Sequence, residues 1–310
     1  MITNRSKIAI IGAGFVGAAA AYALAVKNMA SELVLIDVNA DKAQGEAMDI
    51  AHGLSFMGEM YIHAGGYEEV KDSDIIIVTA GLNRKPGETR LQLAQKNVAI
   101  AREMTREIMK HYTTGVILVV SNPVDIITQV IQEESGLPMG RVFGTGSVLD
   151  TARFRFMLSE AIGVDVRNIH AFIVGEHGDS QFPAWSAVRI AGISLDEYCR
   201  NLNIQIDKEK IEHDVKVAGA EVIKRKGATY YAIASVIAKI SEVVLKDQRA
   251  ILNVSSVQRG IFGLDDVALS LPSIVGRGGV LQSIEYTFTA EEKERLLKSA
   301  DAIKETMASL

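Results

Sequence analysis

The chemistry this chain offers begins at His177, in the run Gly175-Glu176-His177-Gly178-Asp179 that follows an apolar, strand-like stretch. Small residues beside a histidine at a strand end leave the imidazole open to a cleft, where it can donate and accept a proton near neutral pH. Asp150 and Arg153 stand three apart in a helical stretch and therefore share one face. A carboxylate and a guanidinium so placed can respectively orient an imidazole and grip a substrate carboxylate in a fork. Arg90 closes a polar, glycine-containing loop over residues 81–89, so loop movement could carry its guanidinium into the same cleft. Taken singly, each residue also fits a plain structural role: the Asp–Arg pair as a helix-surface ion pair, the histidine as a satisfied core residue. His52, His63, His111 and His213 have no partner pattern, and no H-E-x-x-H, Cys/His cluster or paired-carboxylate spacing occurs, so no metal site is expected.

A second constellation binds rather than reacts. Gly12, Gly14 and Gly17 form G-x-G-x-x-G between a strand and a helix. The first glycine permits a tight turn, the second lets a pyrophosphate approach the backbone, and the third permits close helix–strand packing. The helix N-terminus adds free N–H groups and a positive dipole. Asp37 ends the next strand, where a carboxylate can bond a ribose diol and repel a 2′-phosphate, so the pattern points to NAD. A glycine-rich packing turn beside a surface aspartate is the alternative. No G-x-x-x-x-G-K-[ST] run is present.

Elements must hold these groups. The first half alternates apolar, β-branched runs (7–11, 33–36, 61–63, 75–79, 116–120) with helical stretches (15–27, 41–55, 90–111, 124–134). Strands without polar alternation are buried on both faces, which predicts a doubly wound parallel sheet wrapped by helices. The uncharged run 8–26 is long enough to imitate a membrane span or signal segment, but Gly12 and Gly14 break it into strand and helix. The second half predicts helices over 148–162, 208–226 and 230–245, a strand over 169–174, and strands over 250–256, 267–274 and 280–284 in a separate antiparallel sheet. A final helix opens on Thr289 and Glu292, a capping-box spacing. The expected organisation is a nucleotide-binding domain over residues 1–145 and an α+β substrate domain over 146–310.

Composition sets the outer limits. The chain has 310 residues, 48% hydrophobic and 23% charged, with 33 basic against 38 acidic residues. That balance lacks the basic footprint of a nucleic-acid or anionic-lipid binder. Cys199 stands alone, which excludes an internal disulfide or a cysteine zinc site and fits a reducing, cytoplasmic setting.

Together these runs resemble the lactate/malate dehydrogenase family over essentially the full length. The carriers are residues 12–17, 79–81, 85–90, 121–125, 148–153 and 175–179. The resemblance implies a Rossmann-type doubly wound sheet followed by an α+β substrate domain with antiparallel strands. It also implies hydride transfer from NADH to a 2-keto acid, with His177 as proton donor and Asp150 as its carboxylate partner. Arg153 then binds the substrate carboxylate, Arg90 polarises the carbonyl on loop closure, and Asn122 and Thr229 lie near the substrate. Phe15, Val16, Thr79, Ala80, Gly81, Asn122 and Ile233 join the glycines and Asp37 at the cofactor, and the Asn122–Pro123 bond is cis in relatives.

Glu88, Glu176, residues 144–150 and residues 226–231 resemble the bacterial lactate branch, which implies pyruvate and L-lactate as substrates. Arg84 matches the malate branch and would suit the second carboxylate of oxaloacetate. A binding module that has lost its chemistry is the reading from another class; the joint presence of His177, Asp150, Arg153 and Arg90 speaks against it. Arg155 lies about 200° around the helix from Arg153 and so faces elsewhere. With His170 it matches the fructose 1,6-bisphosphate site of allosteric bacterial relatives, formed across an interface of a homotetramer.

Overall fold

The computed structural model of the chain describes residues 6–82, 87 and 89–310. In the first half, strands β1 (Lys7–Ile11), β2 (Glu32–Ile36) and β3 (Tyr61–Ala64) interleave with helices α1 (Phe15–Val26) and α2 (Ala40–His52). Then follow β4 (Ile75–Val78), α3 (Arg90–His111), β5 (Val116–Val119), α4 (Val124–Ser135) and β6 (Val142–Gly144). Every residue of β4 and β5 is buried, as an apolar run without alternation requires of a strand covered on both faces. The six strands are parallel, in the order β6-β5-β4-β1-β2-β3. The winding reverses between β1 and β4, and the crevice beyond their carboxyl ends is where such sheets take ligands. The predicted helix 41–55 stops early: α2 ends at His52, and Gly53 leads into a short 3-10 turn at Leu54–Phe56.

The second half opens with α5 (Val148–Ile162) and two-residue strands β7 (Ile169–His170), β8 (Ile173–Val174), β9 (Phe182–Pro183), β10 (Arg189–Ile190) and β11 (Ile193–Ser194). Helices α6 (Leu195–Leu202), α7 (Lys208–Lys226) and α8 (Tyr231–Leu245) follow. The chain ends in β12 (Ala250–Arg259), β13 (Asp265–Gly276), β14 (Gly279–Ser283) and α9 (Ala290–Ala308). Two expectations are corrected here. The strand over 169–174 is two strands in different sheets, because β7 pairs with β10 while β8 pairs with β9. Ala171 between them gives its carbonyl to the Arg155 side chain instead of to a ladder. Nor is the antiparallel sheet separate: β12, β13 and β14 extend the parallel sheet through a Ser255–Gly144 pair, making nine strands. Gly144 permits this approach, since a Cβ there would stand 2.5 Å from Thr128 Oγ1 and 3.3 Å from Ser255 Cβ.

The halves are further joined through the core. On one sheet face Leu24 of α1 and Ile237 and Val244 of α8 share a cluster; on the other Ile108 of α3, Ile131 of α4 and Leu296 of α9 do. Burying such side chains contributes roughly 1.5–3 kcal/mol each, so α8 and α9 are fastened to the first half of the chain rather than hinged loosely to it. Among the described residues no helix is long and apolar enough to cross a membrane, and the run 8–26 is divided between β1 and α1.

Candidate active site

The glycine loop is built by contact as much as by conformation. Gly12 has φ +105°, and a Cβ there would fall 2.7 Å from Ala80 N; a Cβ on Gly17 would meet Gly12 O at 1.8 Å. Gly14, in contrast, faces open space, with nothing within 4 Å of its Cβ position. Thr79 Oγ1 donates to Gly12 O at 2.8 Å, and Ser121 Oγ to Ala80 O at 2.5 Å, so the loops after β1, β4 and β5 are tied together. Asp37 accepts from Ala13 N through Oδ2 at 2.7 Å and from Asn39 N through Oδ1 at 2.9 Å.

A groove of about 510 Å³ runs along these residues, walled by Gly12, Gly14, Asp37, Thr79, Ala80 and Gly81. Free helix N–H groups, an unobstructed glycine and a carboxylate at the end of β2 fit the pyrophosphate and ribose of NAD. Val16 and Ile233 are half-buried against the core, while exposed Phe15 stacks on Tyr230 at 5.6 Å. These three and Asn122 are not part of the groove wall.

The reactive groups converge where the loop after β8 meets α5. His177 Nδ1 lies 2.6 Å from Asp150 Oδ2, and Arg153 Nη1 donates to Asp150 Oδ1 at 2.9 Å. The Asp150 side chain is 1% exposed, His177 27% and Arg153 17%. Burial opposes charge on the imidazole, but the Asp150 carboxylate and its hydrogen bond, reinforced by Asp125, raise the His177 pKa to about 9. Burial likewise opposes the Asp150 carboxylate, and His177 and Arg153 overcome it, leaving its pKa below the ordinary value. Arg153 rests against Gly219 of α7, whose Cβ position is 3.6 Å from the guanidinium. Glu176 N donates to Ser299 Oγ of α9 at 2.8 Å, anchoring the histidine loop from beneath.

Other expected residues are placed differently. Arg90 opens α3 behind a Thr89–Gln92 capping box and is ion-paired to Asp179, both side chains exposed, rather than to anything at the imidazole. Thr229 is half-buried just before α8. The Asn122–Pro123 bond is cis, and Asn122 offers its carbonyl to Asn97 Nδ2 at 2.8 Å. Arg84 and Glu88, which divide the malate-like from the lactate-like reading, lie outside the described residues, as do Lys85 and Pro86. Arg155 turns away from Arg153: Nε donates to Ala171 O at 3.0 Å and the guanidinium stands 5.7 Å over the Phe172 ring. His170 is exposed, opposite Arg189 in the β7–β10 pair, and not on the strand that leads to His177.

Several residues escaped the sequence reading. Asn97, 3% exposed, bonds Leu82 N, Leu82 O and the Asn122 carbonyl, clamping the loop after β4, which lines the groove, to the loop after β5; a polar residue on the inner face of α3 was its signal. Lys42 lines the groove near Asp37, on the first turn of α2. Asp125, 3% exposed, accepts the His177 N–H at 2.6 Å. His63, read as lacking partners, lies 3.3 Å from Glu32 Oε1 and stacks on Tyr61. Glu32, His63 and Glu69 are close enough to hold a metal ion, but Lys7 Nζ already sits 3.0 and 2.9 Å from the two carboxylates and offsets one of their two charges.

Comparison with known proteins places this arrangement in context. Residues 6–144 match the lactate/malate dehydrogenase NAD binding domain, and residues 147–310 match the lactate/malate dehydrogenase alpha/beta C-terminal domain. L-lactate dehydrogenase 1 of Clostridium acetobutylicum is 48% identical over 310 residues, 99% of each chain. The L-lactate dehydrogenase of Thermoanaerobacterium saccharolyticum is 48% identical over 309 residues, 98% of this chain and 99% of that one. Among solved structures, the minor L-lactate dehydrogenase of Enterococcus mundtii superposes with a TM-score of 0.95 at 40% identity, covering 98% of both chains. The L-lactate dehydrogenase of Clostridium thermocellum gives 0.89 at 55% identity, covering 99% of both.

Proposed function

The chain belongs to the lactate/malate dehydrogenase family, and from that premise we propose that the cluster around Asp150 reduces the keto group of pyruvate. The chain is an NAD-dependent oxidoreductase of the L-lactate type, as its relatives are. One observation carries the assignment of roles: a single buried carboxylate holds both an imidazole and a guanidinium.

Gly12, Gly14, Thr79 and Asp37 would hold NADH, which when bound supplies the hydride. The Arg153 guanidinium, fixed at one nitrogen by Asp150, has donors left to fork the pyruvate carboxylate and so aim the keto carbon. Asn122 and Thr229 border the substrate. Arg90, once released from Asp179, polarises the carbonyl. His177 Nε2 then gives its proton to the carbonyl oxygen, and Asp150 holds the ring by Nδ1 and stabilises its charged form beforehand. In lactate oxidation the neutral ring takes the proton back. The test is NADH consumption with pyruvate and with oxaloacetate. A higher kcat/KM for pyruvate is expected; preference for oxaloacetate would return the reaction to Arg84 and the malate branch, and silence with both would leave a binding module.

We propose further that residues 1–145 form the NAD-binding domain and 146–310 the substrate domain, supported by family matches that end at 144 and begin at 147. The working form is a cytoplasmic homotetramer in which Arg155 and His170 of neighbouring copies bind fructose 1,6-bisphosphate. Support comes from the bond of Arg155 Nε to the Ala171 carbonyl, next in sequence to His170, which holds the guanidinium at that strand end and away from Arg153. A bisphosphate would relieve their mutual repulsion and favour the assembled form. Pyruvate titration and sedimentation with and without the bisphosphate test this. A lowered KM and a shift to tetramer, both lost in Arg155→Gln, are expected; no movement of either contradicts it.

A further inference from the structure

Asp125 is a buried carboxylate that the reaction above does not use. It stands in the first turn of α4, and Oδ2 accepts the main-chain N–H of His177 at 2.6 Å. Oδ1 is buried and completes no hydrogen bond, as is Ser255 Oγ from β12, although that hydroxyl approaches closely enough to favour the ionised acid. The cation that favours its ionised form is His177 itself. An asparagine would accept the same N–H without placing a carboxylate charge in the interior, so the carboxylate is a costly choice for a merely structural bond.

We propose, resting on the catalytic role of His177, that Asp125 is a positioning residue that fixes the His177 main chain and sets a second negative field behind the imidazole. Two carboxylates then bracket the ring: Asp150 at Nδ1, and Asp125 through the backbone. The other charges bearing on the pair are Glu176, which repels Asp125, and Arg153, which opposes charge on His177. Burial raises the Asp125 pKa to about 6, against help from Ser255 and His177. Because the folded value lies above the ordinary 3.8, the folded chain binds the extra proton, and this group's contribution to stability declines as pH rises through 6. At neutral pH the ionised Asp125 therefore weakens the fold while strengthening the site. An acid that merely complemented the α4 dipole would do the opposite.

The test compares Asp125→Asn and Asp125→Glu with the parent, by melting temperature at neutral pH and by the pH profile of kcat/KM for pyruvate. For Asp125→Asn the melting temperature should hold or rise, while the basic limb, expected near pH 9 in the parent from the raised His177 pKa, should move acidward by about half a unit to one unit. Asp125→Glu, which keeps the charge but not the reach, should keep the limb and lose kcat. An unmoved limb in folded Asp125→Asn overturns the proposal. If Asp125→Asn does not fold, an Asp125→Glu limb displaced acidward overturns it, and failure of both variants to fold marks a structural residue and also overturns it. A parent that shows no pyruvate reduction would instead strike the catalytic reading itself.

Discussion

The buried carboxylate of Asp150, 1% exposed, holds the half-buried imidazole of His177, with Oδ2 and Nδ1 2.6 Å apart. At that distance, out of water, the imidazole is both oriented and biased toward its protonated form. Arg153 shares the same carboxylate through Oδ1, so proton delivery and substrate grip are held in one frame.

That sharing predicts the outcome of Arg153→Lys. An ammonium keeps the charge but has no planar fork, and it leaves Asp150 Oδ1 less well satisfied. Hydrogen bonds to charged groups are worth about 1.5–3 kcal/mol, so the KM for pyruvate should rise roughly ten- to a hundredfold. NADH binding, measured by fluorescence quenching, should hold. An unchanged KM would place the substrate carboxylate elsewhere.

Cofactor choice is expected to rest on Asp37 against Lys42. The carboxylate at the end of β2 disfavours a 2′-phosphate, but Lys42 in the same groove gives that phosphate a cation that the residues beside Asp37 lack. The parent should prefer NADH. Asp37→Asn removes the charge but has one acceptor oxygen where Ala13 N and Asn39 N now use two, so it should raise relative use of NADPH by about tenfold while weakening the hold on the glycine loop. Equal kcat/KM for the two cofactors in the parent would contradict this.

Arg90 and Asp179 are paired at the surface, both more than two-thirds exposed. Such a pair is worth roughly 0–1 kcal/mol, weak enough to release Arg90 to a substrate carbonyl. Arg90→Gln should lower kcat about a hundredfold or more, as loss of an electrostatic donor does. Asp179→Asn should change KM by no more than about fivefold. Stopped-flow reduction of pyruvate distinguishes them, and a larger effect from Asp179 than from Arg90 would reverse the assignment.

Asn97→Ala removes three hydrogen bonds at the crossing of two loops. Leaving buried partners unsatisfied costs about 1–3 kcal/mol each, so thermal unfolding should begin several degrees lower and NADH affinity should fall with it. A variant with parental melting and affinity would show that water replaces the clamp.

What the sequence disclosed and what it concealed divide along physical lines. Gly12, Gly17 and Asp37 announce themselves because a tight turn, a close approach and a ribose partner each demand one residue type at one spacing. Asp150 and Arg153 were paired by helical periodicity, and the structure joins them. The partner of β6 was not legible, because Gly144 accepts Ser255 through what it lacks and no local pattern records that. The break at Ala171 was hidden for a related reason: an apolar run reads as one strand whether or not it changes partners midway. Asn97, Lys42 and Asp125 act through contacts distant in sequence, where periodicity places a residue on a face without saying what it meets.

The most direct test of the account is the pH dependence of kcat/KM for pyruvate reduction in the parent and in Asp150→Asn. Reduction needs the protonated ring, and His177 holds its proton to about pH 9. Its folded pKa lies above the ordinary 6.5, so the stability it contributes is complete below 6.5 and lost as pH rises toward 9. The account predicts a parental profile flat to alkaline pH and falling near 9. In Asp150→Asn the fall moves acidward by about a unit or more and activity at neutral pH drops about a hundredfold or more. A variant with the parent's limb and rate would show that Asp150 does not govern the proton on His177.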